Sequence, residues 1–225
     1  MRIGNAFTRI PFACEPKMKQ SSCFLTVLFF YLPLLFGCDG GGEKSFSKVA
    51  LDPAVVAEAI MAEYDADGDG EVSRSELKKC KGLQMLAAGQ EELQPQYRLD
   101  QDGNGSISQK EFTDKLTACF ADKRQSFSCA VKYRGKPLKG AIVTLVPESF
   151  MGDVQSASGE TDKDGNCSVT GDDGLLGTVP GIYRVEITHP DHDIKAKYNT
   201  ETTESVALDT TNPYAQVGTI TYNVK

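Results

Sequence analysis

Two twelve-residue segments, starting at Asp65 and Asp100, repeat one spacing of oxygen-bearing side chains, and no other feature restricts the local fold as tightly. The first has Asp65, Asp67 and Asp69 at positions one, three and five, Gly70 at six, Glu71 at seven, Ser73 at nine and Glu76 at twelve. The second has Asp100, Asp102, Asn104, Gly105, Ser106, Ser108 and Glu111 at the same positions. Alternate side-chain oxygens followed by glycine converge on one point only if the chain turns sharply at that glycine. The terminal glutamate then closes the shell with both oxygens. A flexible shell of about six to eight hard oxygens is what calcium takes. Glu71 and Ser106 are expected to give backbone carbonyls, and position nine to act through water. Two calcium sites follow. The first holds four ligand carboxylates and the second three, so the first is expected to bind more tightly.

This spacing resembles the EF-hand family over residues 52–121, which implies a helix on each side of each loop. The loops start 35 residues apart, enough for an exiting helix, a linker and an entering helix. Dockerin modules share the first half of the loop, but their repeats lie closer together. Asp52 and Pro53 form a helix start, and Val56, Ala59 and Ile60 recur at helical spacing. Phe112, Leu116 and Phe120 do so after the second loop, and a four-helix unit is expected. Val72 and Ile107, at position eight, are expected to pair between loops. Pro95 falls in the helix entering the second loop and should kink or shorten it, while Tyr97 and Leu99 still reach the core. Sensors of this family expose a Met-rich groove, whereas this segment holds only Met61 and Met85. Calcium is therefore expected to staple the structure rather than signal.

The chain opens differently. Residues 23–37 are uncharged and apolar, with Pro33 inside, and Lys17 and Lys19 precede them. The run is short for a membrane span of ~20 residues and suits an export signal over residues 1–37, with Met18 as a possible true start. Leu35-Phe36-Gly37-Cys38 resembles the bacterial lipobox, which implies cleavage before Cys38 and its lipidation. Residues 38–51 then form a flexible tether. The expected location is the bacterial cell envelope, anchored in the inner or the outer membrane. Residues 38–225 carry 20 basic and 30 acidic side chains, a net charge of −10, which excludes general affinity for nucleic acid.

After a linker at 122–126, residues 127–225 read as short strands between turns. Phe127, Cys129, Val131 and Tyr133 alternate, residues 140–146 return, and residues 180–187 are the clearest strand. Gly135-Lys-Pro-Leu-Lys-Gly-Ala-Ile-Val-Thr-Leu-Val-Pro147, Gly159-Glu-Thr-Asp-Lys-Asp-Gly165 and Pro180-Gly-Ile-Tyr-Arg-Val185 resemble the carboxypeptidase regulatory-like domain of planctomycete-type bacteria. That resemblance implies a transthyretin-like (prealbumin-like), seven-stranded antiparallel β-sandwich without catalytic residues of its own. The overall class is thus multidomain α plus β. Asp162 and Asp164 read as a hairpin turn, and His189 with His192 lacks a third ligand for zinc.

Four cysteines remain beyond Cys38. Cys80–Cys119 and Cys129–Cys167 would keep disulfides within each half, and four buried free thiols are the alternative. No nucleophile constellation or phosphate loop appears, so an enzyme is not expected. The leading expectation is a calcium-binding envelope lipoprotein whose β-half contacts an envelope protein or glycan, with Phe150 and Tyr214 as candidate exposed aromatics. A non-catalytic accessory subunit of an envelope enzyme or transporter, or a purely structural lipoprotein, is the alternative.

Overall fold

The first helix, α1 (Pro53–Tyr64), starts where Asp52 accepts a hydrogen bond from the Ala54 amide at 2.9 Å and Pro53 takes the first helical position. Its inward face carries Val56, Ala57, Ile60 and Tyr64, all buried. This computed structural model describes residues 51–88, 93–120, 124–212 and 219–225. The expected export signal 1–37, Cys38, the tether up to residue 50, residues 121–123 at the expected boundary, and Tyr214 lie outside the described residues.

Beyond α1 come β1 (Glu71–Ser73), α2 (Arg74–Leu77), α3 (Lys81–Leu86), β2 (Ser106–Ser108) and α4 (Gln109–Cys119). The expected four-helix unit is only partly formed. The helix leaving the first loop breaks after one turn. The amides of Lys79 and Cys80 reach back three residues to Glu76 and Leu77, and Cys80 is extended (φ −127°, ψ 113°) before α3 begins. The helix entering the second loop is reduced to a single 3-10 turn, Pro95–Tyr97. A proline supplies no amide hydrogen to carry a longer α-helix through that point. Leu99 is fully buried as expected, but Tyr97 is 39% exposed and misses the core.

The second half holds β3 (Ser128–Tyr133), β4 (Lys136–Pro137), β5 (Ile142–Pro147), β6 (Ala157–Glu160), β7 (Asn166–Ser168), β8 (Thr170–Gly171), β9 (Gly181–Thr188), β10 (Ser205–Leu208) and β11 (Ile220–Val224). One sheet runs β10-β9-β5-β6-β8, with antiparallel pairs throughout. The other contains β11-β3-β4, with β7 also on β3. Here β11 lies parallel to β3, Ile220 opposite Cys129 and Val224 opposite Tyr133, so the arrangement is not purely antiparallel as expected. Gly159 lets β6 lie close under β7, since a Cβ there would stand 2.3 Å from the Ser168 carbonyl oxygen.

Strand β5 buries alternate residues, Val143 and Leu145, whereas β9 buries Gly181, Ile182, Tyr183, Val185 and Ile187 and β10 buries all four of its residues. Continuous burial means both faces are covered. Helix α3 covers the outer face: a Cβ on Gly82 would stand 2.3 Å from Ile182 Cγ2, 2.5 Å from Ser205 Oγ and 3.3 Å from the Val206 carbonyl oxygen. The end of α1 joins the same seam, with Tyr64 edge-on to Phe150 at 6.1 Å and Ser149 Oγ donating to Glu63 at 2.6 Å. Phe150 is thus buried, not an exposed aromatic as expected. Buried side chains of the helical half and of both sheets form one contiguous cluster.

A third tie is polar. Lys115 on α4 and Asp209 just after β10 form a fully buried ion pair at 2.8 Å. Lys115 Nζ also donates to the Tyr97 carbonyl at 2.8 Å and to Thr211 Oγ1 at 2.9 Å. Asp209 Oδ1 accepts from the Thr211 amide (2.8 Å) and hydroxyl (2.7 Å).

Candidate metal centre

Helix α1 ends by delivering Asp65, whose amide closes the last helical bond to Met61 O at 3.0 Å. From there the backbone wraps around the carboxylates. Asp65 Oδ1 accepts from the Gly68 amide (2.8 Å) and Oδ2 from the Gly70 amide (3.0 Å). Asp67 Oδ1 accepts from the Asp69 amide at 3.3 Å, and Asp69 Oδ1 from the Glu71 amide at 2.9 Å. Gly70 sits at φ +90°, a left-handed conformation that costs a glycine nothing. Glu76 is the third residue of α2 and closes a capping box with Ser73. Its Oε1 accepts from the Ala66 amide at 2.7 Å and its Oε2 from the Ser73 amide at 2.8 Å. Those amides, the Ser73 bond first, pull its carboxyl down to about 2, so it is a carboxylate at any physiological pH.

The second loop repeats the wiring. Asp100 accepts from the Gly103 (2.7 Å) and Gly105 (3.1 Å) amides, Asp102 from Asn104 (3.0 Å), and Asn104 from Ser106 (2.8 Å). Gly105 has φ +93°. Glu111 caps α4 through Ser108 and accepts from the Gln101 amide at 2.8 Å. The loops are tied back to back by β1 and β2, with Val72 opposite Ile107 and both buried.

Ligand oxygens of Asp65, Asp67 and Glu76 lie within 4.8 Å of one another, and so do those of Asp100, Asp102 and Glu111. Two oxygens each ~2.4 Å from one ion can be no more than ~4.8 Å apart, so both trios fit calcium. Asp69 stands outside the first trio, on the Glu71 amide. Among the described residues these are the two groups of three acidic, His or Cys side chains close enough to share an ion.

A family model of the EF hand matches residues 57–81. Probable calcium-binding protein CML29 of Arabidopsis thaliana is 34% identical over 55 residues, which are 24% of this chain and 66% of that protein. Polcalcin Ole e 3 of Olea europaea is 39% identical over 67 residues, 29% of this chain and 80% of the relative. The chain belongs to the EF-hand family. No solved structure matches it at a significant level. Calcium is thus the cofactor of this EF-hand protein, and the two acidic groups close enough to share an ion are Asp65, Asp67 and Glu76 in one loop and Asp100, Asp102 and Glu111 in the other.

Among the described residues of the EF-hand protein, Cys80, Cys119, Cys129 and Cys167 are buried free thiols. Cys80 faces Glu148 and Ser205, at 3.9 and 3.8 Å, whereas Cys119 donates to the Leu208 carbonyl at 3.5 Å. Ser205 and Leu208 stand at opposite ends of β10, about 10 Å apart at the usual strand rise, so the expected Cys80–Cys119 bridge is not formed. Burial pushes both thiols up and keeps them protonated. Cys129 and Cys167 face each other across β3 and β7, and they too are unbridged. A hydrogen bond from Cys129 to Cys167 raises the Cys129 thiol further, with burial adding to it.

The remaining polar motifs are absorbed by the fold. His189 Nδ1 accepts from the Asp191 amide (2.9 Å) and the His192 amide (3.1 Å), which makes Nε2 the donor to the Lys139 carbonyl (2.9 Å). Neither nitrogen is left for a metal. Asp162 Oδ1 accepts from the Asp164 (2.8 Å) and Asn166 (2.9 Å) amides, a turn that needs no cation.

Sequence reasoning missed the Lys115–Asp209 pair and Gly82. Lys115 had a visible signal: it lies with Phe112, Leu116 and Cys119 on the three-and-four-residue stripe that α4 buries. Gly82 had none, because its neighbours come from residues 100 or more positions away.

Proposed function

We propose that this EF-hand protein is an exported, lipid-anchored calcium-binding protein of the bacterial envelope, in which calcium is mainly structural. Its β-half serves as an adhesion or interaction module for an envelope protein or glycan. The observation that carries the structural role is the docking of α3 on β9 and β10 through Gly82. In sensors, calcium opens a groove between helices for a target. Here the helical segment after the first loop is already packed on the chain's own sheet.

The anchor reading rests on the apolar run 23–37 and on Leu35-Phe36-Gly37-Cys38. Several acyl chains on one cysteine hold a protein to a bilayer, where a single chain gives marginal binding. Among the described residues no helix is long and apolar enough to cross a membrane. The carboxypeptidase regulatory-like, transthyretin-like reading of the β-half rests on the turn and strand motifs at 135–147, 159–165 and 180–185.

Calcium chelation followed by circular dichroism tests the structural role. Helical signal and thermal stability of the β-half should fall together. Unchanged helical content and unchanged unfolding of the sheets would sink it. For the anchor, Cys38→Ala should release the protein from the membrane fraction, and retention there would contradict lipidation at Cys38.

A further inference from the structure

In an EF-hand loop position seven serves calcium through its backbone carbonyl, so its side chain is not needed by its own ion. In the first loop that side chain is long and acidic, and it leaves its own site. Glu71 reaches across the β1–β2 bridge to the second loop. Its Oε1 and Oε2 accept from Asn104 Nδ2 at 3.3 and 3.5 Å. Asn104 Nδ2 also donates to Asp102 Oδ2 at 3.3 Å, while Asn104 Oδ1 accepts from the Ser106 amide at 2.8 Å. The side-chain amide is therefore held by both ends, nitrogen toward acid and oxygen toward the loop. The contact is one-sided, because the matching residue of the second loop, Ser106, is too short to reach Asp69.

We infer that Glu71 is a positioning residue for the second calcium site, which it serves from within the first loop. Two physical effects act together. The Glu71 carboxylate fixes the amide of Asn104 so that Oδ1, the only neutral side-chain ligand at position five in either loop, is presented to the ion. It also lends a fourth negative charge to a site that has three ligand carboxylates of its own. With an ion at the usual ~2.4 Å from Asn104 Oδ1, the Glu71 carboxylate would lie roughly 6.5 Å from it. At that range, in solvent and with ~0.1 M salt, attraction to a divalent ion corresponds to roughly threefold in affinity. This inference rests on calcium occupying both loops.

The test is calcium titration of the purified full-length protein in detergent, read site by site through the amide resonances of Gly70 and Gly105. Glu71→Gln keeps an acceptor for Asn104 and removes the charge. It should weaken the second site about threefold, an effect that shrinks toward nothing at ~1 M salt. Glu71→Ala loses the orientation as well. It should weaken the second site about tenfold and keep part of that loss at high salt. The first site should stay within twofold in both variants. Asn104→Asp should tighten the second site more in the Glu71→Gln background than in the native one, because Glu71 opposes a carboxylate at position five. Equal weakening of both sites, or an unmoved second site in a protein that still takes up two ions, would overturn the inference alone. Uptake of fewer than two ions by the native protein would overturn the calcium assignment and this inference with it.

Discussion

Replacing Lys115 with methionine should be among the most damaging single changes outside the calcium loops. Lys115 Nζ donates to the Tyr97 carbonyl and to Thr211 Oγ1 and forms an ion pair with Asp209 Oδ2, an oxygen that has no hydrogen bond of its own. Methionine keeps most of the volume, so packing loss is minor and the cost is electrostatic. Asp209 Oδ1 would keep its two bonds from Thr211, but Oδ2 would have no partner, and both side chains are fully buried. Breaking a buried pair from one side costs about 3–5 kcal/mol. For a unit of this size that is a fall of roughly 6–20 °C in Tm, at ~2–4 °C per kcal/mol. Asp209→Asn on the same background removes the stranded charge and should recover more than half of the loss. Differential scanning calorimetry at saturating calcium on the native chain, both single variants and the double variant measures the coupling. A loss under about 1 kcal/mol, or strictly additive losses, would refute the argument. The same change frees the Tyr97 carbonyl, three residues before the second loop, so that site should weaken more than the first.

Three further outcomes follow from the seam between the halves. Gly82→Ala gains up to ~1 kcal/mol of helix propensity but drives a Cβ into Ile182 at 2.3 Å, and overpacking costs about 1–3 kcal/mol, so Tm should fall; a rise would mean that α3 is not docked as described. Burial raises the carboxyl of Glu148, which means that stability from this group is present in acid and is lost as pH climbs through its folded value. Glu148→Gln should therefore raise Tm at pH 7 and leave it unchanged near pH 4, in saturating calcium, and equal effects at both pH values would contradict the burial argument. Non-reducing peptide mapping should find no Cys80–Cys119 linkage, since the two thiols face opposite ends of β10; recovery of that linked peptide would show that the seam is packed differently.

The calcium loops were legible because their information is local. Every ligand and every turn glycine lies within twelve residues, and each backbone bond that shapes the loop is made to a side chain in the same loop. The pairing of Val72 with Ile107 was legible for the same reason, since it follows from loop position. Pro95 announced trouble in the entering helix, but not that only one 3-10 turn would remain. The break between α2 and α3 was invisible, because nothing in the local sequence around Cys80 says that Gly82 must reach Ile182 and Ser205. Strands β3, β5 and β9 stood out by apolar content or alternation, whereas β6, with Ser158 and Gly159, did not. The parallel seating of β11 on β3 joins residues some 90 positions apart and leaves no mark on either strand alone. Phe150 misled in the opposite sense: a residue in a polar turn is packed against Tyr64 from the other half.

The most direct test of the account is the number of calcium ions the chain holds. Glu76 and Glu111 each belong to one of the two acidic groups, so their removal should subtract sites one at a time. Isothermal titration with calcium should give two ions per native chain, one for Glu76→Gln, one for Glu111→Gln and none for the double variant. A native chain that binds no calcium, or single variants that still bind two ions with native affinity, would contradict it.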